Sequence, residues 1–267
     1  MREMKADEVK TVMMGIASEF HRLCVENGLK YYMAYGTMLG AIRHKGFIPW
    51  DDDMDFVMPK EDYDKLLSIA AGKLGEPYRL VTYRNSSYPI AYAKIEDTRT
   101  EIVETRLYHS AASRIGVNID IFPINECSSD IKKVNHLLRK IHSIRRIIAE
   151  VYNEMPEKFV RRALRYVLRF FYQNDKSRCK WVERQLRVFE SFSATGNDAY
   201  AHCGAYRSID VVNKSIYGEP KLYDFETIQL YGVENFDDYL RSQYGEYMEL
   251  PPVEKREIHS EGYFFKE

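Results

Sequence analysis

Residues 36–57 read GTMLGAIRHKGFIPWDDDMDFV, and they place Asp51, Asp52, Asp53 and Asp55 within five positions, behind a glycine-bounded turn. Aspartate is common in turns, and that accounts for Asp51 and Asp52, which are expected to shape the turn. Asp53-Met54-Asp55-Phe56 is a different case. Its alternation predicts a strand end with both carboxylates on one face and Met54 and Phe56 on the core face. Two carboxylates held in parallel repel unless a cation sits between them. Hard oxygen ligands of this kind suit Mg²⁺ or Mn²⁺.

Working outward, VNIDIFPI (117–124) carries a third acid, Asp120, in an apolar β-branched run where an unpaired charge is expensive to bury. The ordinary explanation is a salt bridge to an arginine; the functional one is that a neighbouring strand brings Asp120 beside Asp53 and Asp55. Three strand-borne aspartates near Gly36-Thr37 describe a metal-assisted phosphoryl or nucleotidyl transfer site. Gly36-Thr37 is expected to turn into a short helix over 38–43, where a glycine lets backbone approach a phosphate and the helix start favours an anion. Arg43 can take a phosphate bidentately and Lys45 supplies a movable point charge, while His44 reads equally well as a surface residue.

The rest of the chain supplies a frame. Residues 6–27 repeat apolar positions at helical spacing, with Gly28 where a left-handed cap is expected. KYYMAY (30–35) and 55–58 read as strands, and Pro59 opens a helix to about Ala71. Segments from Tyr78, Tyr88 and Thr100 are β-rich, and VNIDIFPI closes the set. The core, 1–127, is therefore expected to be α+β, a mixed sheet with flanking helices. Ser128, Ser129 and Asp130 then cap a long amphipathic helix, and a second follows Pro156 with Phe159, Val160, Leu164, Val167, Leu168 and Phe171 as its apolar stripe.

This helical section, 128–190, is strongly basic. Lys132–Arg187 holds 16 Lys and Arg against 5 Asp and Glu, a local charge of +11 that leaves about −12 for the remainder. It reads either as a solvated face or as a surface that docks on anionic lipid. The segment 191–267 reads as irregular and tyrosine-rich, ending a short helix near 239–244 and packing on the core. A formal net charge of −1 over 267 residues gives no overall nucleic-acid electrostatics. Cys24, Cys127, Cys179 and Cys203 have neither zinc spacing nor a disulfide framework, and no apolar run has the length of a bilayer span. Without the apolar core of a signal peptide at the N-terminus, the expected location is cytoplasmic, with peripheral membrane contact through the basic section.

The string GTMLGAIRHKGFIPWDDDMDFVMPKEDYDKLL resembles the signature of the LicD family, and the likeness extends to AKIEDTRTEIVETR, VNIDIFPI and YGEYMELPPVEKREIH. Bacterial members are phosphorylcholine transferases; fukutin and fukutin-related protein, which are ribitol-phosphate transferases, are more distant relatives. The resemblance implies a nucleotidyltransferase-like fold related to the DNA polymerase β superfamily, in which Gly36-Thr37, Asp53 with Asp55, and Asp120 form the site. It also implies a CDP-linked donor, CDP-choline or another CDP-alcohol, that gives its phospho-alcohol to a glycan or lipid-linked glycan and releases CMP. Asp53, Asp55 and Asp120 would then be catalytic and hold the metal. Arg43 and Lys94 would neutralise phosphate oxygens, although Lys94 also reads as an ordinary edge-strand lysine. Trp50 and tyrosines would stack on cytosine or cage a choline ammonium, although core packing accounts for most of the tyrosines. The competing readings are a nucleotidyltransferase that releases pyrophosphate from an NTP and a non-catalytic glycan- or membrane-binding protein.

Overall fold

A computed structural model describes residues 1–103, 115–152, 159–172, 174–252 and 262–266. In chain order the elements are β1 (Arg2–Glu3), α1 (Ala6–Glu26), β2 (Tyr32–Met33), α2 (Tyr35–Arg43), β3 (Asp55–Pro59), α3 (Lys60–Lys73), β4 (Tyr78–Val81), β5 (Ala93–Asp97), β6 (Thr100–Val103) and β7 (Asn118–Cys127). They continue with α4 (Ile131–Tyr152), α5 (Phe159–Tyr172), α6 (Asp175–Glu190), β8 (Ala199–His202), β9 (Val211–Asn213), α7 (Lys214–Tyr217), β10 (Lys221–Phe225), β11 (Ile228–Gly232), α8 (Phe236–Tyr244) and β12 (Gly262–Phe265). Parts of the 100–106 and C-terminal motif strings, and Pro156, lie outside the described residues.

The main sheet is mixed, in the order β2-β3-β7-β5-β4. Strand β7 organises it. One edge pairs in parallel with β3 over 120–124, and the other pairs antiparallel with β5 over 118–121 and then with β8 over 124–127. Between β5 and β8 that second edge has a break at Phe122 and Pro123. A proline has no N–H to offer a ladder, and Pro123 stands where none is needed, its carbonyl accepting the Cys203 N–H at 3.2 Å.

Helices α1 and α3 pack on the sheet, with Met13, Ile16, Phe20 and Leu66 of the helices and Phe56, Ile119 and Ile121 of the strands fully buried in one core. The α1 apolar positions recur every three to four residues, Glu8 reaches back to the Lys5 N–H at 2.9 Å, and Gly28 closes the helix at φ +62°. A second core joins α4 and α6 to β8, through Val134, Leu138, Ile141, Val182, Phe189 and Ala201. Cys24, Cys127, Cys179 and Cys203 are free thiols.

Four expectations change. The strand expected over 30–35 shortens to Tyr32–Met33, and α2 begins at Tyr35, so Gly36 and Thr37 are its first turn rather than a turn before it. The C-terminal segment is not irregular, because β8 and β9 extend the main sheet, β10-β11 is a hairpin and β12 joins β1 and β6. Strand β5 lies between β7 and β4, so Lys94 is not on an edge. In α5, Arg165 and Arg169 are buried at 6% and 3% exposure, whereas Val167, expected in the apolar stripe, is 55% exposed beside Tyr166 at 60% and Phe170 at 79%; Leu168 is half-buried, and the side chains of Phe159, Val160, Leu164 and Phe171 lie outside the described residues. Arg165 pairs with Glu150 at 2.9 Å and Arg169 donates to the Val151 carbonyl, so α4 supplies the acceptors that draw these guanidinium groups inward.

Candidate active site

Strand pairing sets the site. Asp55 opens β3 directly opposite Asp120 of β7, and Asp120 lies opposite Lys94 of β5 on its other edge. Three adjacent strands thus carry Asp55, Asp120 and Lys94 in one row across the sheet. The Lys94 ammonium donates to Asp120 Oδ1 at 2.6 Å and to Asn118 Oδ1 at 2.9 Å. The partner of Asp120 is therefore a lysine, not the arginine that sequence reasoning weighed.

The residues before β3 complete an acidic group. Asp51 and Asp53 lie in hydrogen-bonding contact, and burial, opposed by that contact and reinforced by Asp52, holds the Asp51 carboxyl above its ordinary pKa. Burial first, then the charges of Asp53, Asp120 and Asp51, push Asp55 well above the ordinary carboxylate range, with Lys94 pulling the other way. Asp51 was assigned to turn shaping; the fold places it inside the acidic group, while Asp52 faces away and accepts the Tyr263 hydroxyl at 2.8 Å. Gly36 makes this possible, because a Cβ there would stand 2.6 Å from Asp51 Oδ2.

The other expected site residues divide. The Thr37 hydroxyl accepts the Asp55 N–H at 2.8 Å, so it latches β3 in place. Arg43 donates to the Tyr247 carbonyl at 2.8 Å and tethers the segment after α8. Lys45 is exposed at φ +61° and lines neither cavity described below. Trp50 packs edge-on to His44, with ring centroids 6.4 Å apart, and lines a cavity with the acidic group.

Two cavities meet at Tyr35 and Asp55, which line both. Tyr35 holds φ +45°, an uncommon conformation for a bulky side chain and one that concentrates at functional sites. The first cavity, about 710 Å³, is acidic and aromatic: Asp51, Asp53, Trp50, Tyr244, Tyr247 and Glu246 are among its walls. The second, about 750 Å³, opens at the β7 break and is basic, with Lys94, Arg145, Arg146 and Arg207 around Tyr92, Phe122 and His202. His202 accepts the Gly204 N–H on Nδ1 at 3.2 Å, and burial holds its imidazole neutral, with the pKa pushed down to about 4. Sequence reasoning missed His202 and the α4 arginines. Isolated residues on a short strand and on a basic helix give no motif.

Residues 28–149 match the family model described as LicD/FKTN/FKRP, nucleotidyltransferase domain. That stretch, a little under half of the chain, is similar to a LicD-family domain. It begins just before β2 and ends in α4, so it includes the whole acidic row. Over 267 residues, 97% of each sequence, the chain is 27% identical to the lipopolysaccharide cholinephosphotransferase LicD of Haemophilus influenzae. It is also 45% identical over 54 residues, 20% of each sequence, to an uncharacterized protein of Rickettsia prowazekii. Full-length alignment to the Haemophilus protein extends the likeness beyond the LicD domain, through the helical section and the C-terminal strands.

Proposed function

We propose that the protein is a LicD-like phosphotransferase that moves phosphocholine from CDP-choline, or another phospho-alcohol from its CDP derivative, to a sugar hydroxyl of lipopolysaccharide, teichoic acid or a related surface-glycan precursor, releasing CMP. The carrying observation is the row Asp55, Asp120 and Lys94 at the junction of two cavities of opposite charge. The order of parts, with Gly36-Thr37 opening a helix, Asp53 and Asp55 at the next strand and Asp120 on its parallel neighbour, supports a nucleotidyltransferase-like plan of the DNA polymerase β type.

Mg²⁺ or Mn²⁺ fits the donor set. Among the described residues no three His, Cys, Asp or Glu side chains form a ready cage. Mg²⁺ is commonly held through only one or two carboxylates together with substrate phosphates, and Asp53 and Asp55 are hard-oxygen donors of that kind. When bound there, the ion supplies charge stabilisation to the diphosphate and to the departing CMP. In the transfer, the acceptor oxygen bonds to the phosphocholine phosphorus as the bond to CMP breaks. Asp120, fixed by Lys94, would take the hydroxyl proton. Trp50, Tyr244 and Tyr247, with Glu246 nearby, offer ring faces and negative charge to a quaternary ammonium.

The proposal places the protein in the cytoplasm at the inner face of an anionic membrane. No helix among the described residues is long and apolar enough to cross a membrane. The support for surface contact is α5, which turns Tyr166, Val167 and Phe170 outward within a section of charge +11.

The test is ³¹P NMR of the protein with Mg²⁺, CDP-alcohols, NTPs and a lipopolysaccharide acceptor, with Asp53→Asn in parallel. CMP release from one CDP-alcohol, absent in the variant, is expected. Pyrophosphate release from an NTP would replace this reading with a nucleotidyltransferase.

A further inference from the structure

The functional reading above names no ligand for the basic cavity beyond the row at its inner end, and its construction calls for one. Three features define it. The first is charge. Lys94, Arg145, Arg146 and Arg207 line a chamber whose carboxylates are Asp55 and Asp210. Asp210 is spent on its own loop, accepting the N–H groups of Tyr206 and Arg207 at 2.9 and 2.8 Å and pairing with the Arg207 guanidinium at 3.2 Å. Asp55 stands at the inner end, beside the acidic group.

The second feature is the fixed orientation of a guanidinium. Arg145 Nη1 donates to the Gly204 carbonyl at 2.5 Å, and the guanidinium lies over the Tyr206 ring, 5.0 Å from its centroid. His142 stacks on the same ring at 5.2 Å. A Cβ at position 204 would lie 3.0 Å from Arg145 Nη1, so glycine permits this approach. Arg145 is thus pre-oriented with further donors available, and a planar guanidinium held in place is suited to bidentate phosphate contacts.

The third feature is an aromatic wall. Tyr92 packs on Phe122 with centroids 4.3 Å apart, and Tyr35 and His202 each stand about 6 Å from Phe122 and from each other. The break between β5 and β8 exposes this wall to the chamber, because no strand pairs with that edge of β7 at Phe122. At about 750 Å³ the space is within the range of a nucleotide or a disaccharide.

We infer that this chamber is a phosphate-binding subsite, in which Arg145 and Arg146 of α4 take the phosphate of a nucleotide or of a phosphorylated sugar while its flat face lies on the Tyr92–Phe122 wall, beside Asp55. The inference rests on the transferase reading for what the ligand is, not for whether it binds. It gives the basic α4 helix a job at the reaction centre. The two ligand sources share one chemistry: the nucleotide comes from the donor and the sugar phosphate from the acceptor glycan.

Calorimetry of the full chain with CDP and, separately, with glucose 6-phosphate tests it, using Arg146→Gln and Arg145→Gln. Arg146 is exposed on α4, so its variant keeps the test valid if Arg145→Gln loosens the Gly204 loop. One probe is expected to bind in a salt-sensitive manner and to lose at least tenfold in affinity in Arg146→Gln with an unchanged thermal midpoint. A response to CDP assigns the chamber to the donor; a response to glucose 6-phosphate alone assigns it to the acceptor. Failure of both probes to bind, or binding indifferent to both substitutions, overturns the subsite. CMP release whose donor and acceptor KM ignore both arginines also removes the subsite while leaving the transferase. Arginine-dependent binding with no CMP release from any CDP-alcohol does the reverse.

Discussion

Asp55 and Asp120 face each other across a parallel strand pair, and among the described residues only Asp120 has a cation in contact, Lys94 at 2.6 Å. Asp55, half-buried at the cavity junction, instead lies among Asp51, Asp53 and Asp120, with its carboxyl held well above the ordinary range by burial first and by those charges second. On the proposed reading a divalent ion would relieve this repulsion, which bears on Asp55 most and raises the Asp51 carboxyl as well.

Asp55→Asn should abolish CMP release and yet stabilise the metal-free protein at pH 7, by on the order of 1 kcal/mol. The sign follows from the raised pKa. Between the unfolded and folded values the native state binds more protons, so stability is full below about pH 4 and declines as pH rises toward the folded value. Thermal denaturation from pH 4 to 8 checks this, and the variant should flatten the decline. Added Mg²⁺ should raise the midpoint of the native protein and not that of the variant.

Lys94 is buried at 7% exposure, and Lys94→Met removes the sole ammonium on Asp120 among the described residues while leaving a carboxylate in the sheet. Breaking such a pair from one side should cost about 3 kcal/mol. The double variant with Asp120→Asn should recover most of that stability and none of the activity. Urea denaturation of the two single variants and the double variant measures the coupling.

His202 provides a separate pH signature. Its imidazole titrates near 4 in the fold and near 6.5 when unfolded, burial being the main cause. The unfolded state therefore binds the extra proton between these values, so stability is complete above about pH 6.5 and falls as pH drops toward 4. His202→Gln should remove on the order of 2–3 kcal/mol of this acid-side loss, read as the difference in unfolding free energy between pH 7 and pH 4.5.

The exposed Tyr166, Val167 and Phe170 of α5 predict a lipid-dependent phenotype. Phe170→Glu should leave the thermal midpoint within a degree or two, since Phe170 is 79% exposed, and should reduce co-sedimentation with phosphatidylglycerol vesicles several-fold. Equal sedimentation of the native protein with neutral phosphatidylcholine vesicles would rule out the charge-assisted contact.

The quoted aspartate stretch already carried much of the site's arrangement. Period-2 alternation assigns Asp53 and Asp55 to one face and Phe56 to the core, and an apolar, β-branched run around Asp120 marks a charge with a job. Local pattern was sufficient for these residues because their burial follows from backbone geometry alone. It was likewise sufficient for α1, α3 and α4, whose apolar stripes are long and strongly periodic.

What pattern could not supply is which strands become neighbours. The pairing of β7 with β3, β5 and β8 decides that Lys94, rather than an arginine, meets Asp120, and that a gap opens at Phe122 and Pro123. Asp51 entered the acidic group, and Arg145 reached the second cavity, through contacts spanning 15 and 59 positions of chain. Short strands such as β8 carry too few residues for a periodic signal, and Arg165 and Arg169 of α5 are buried because Glu150 and the Val151 carbonyl of α4 accept from them. Sequence fixes what depends on neighbours along the chain; charge pairing and cavity shape depend on neighbours in space, and those exist only once the sheet has closed.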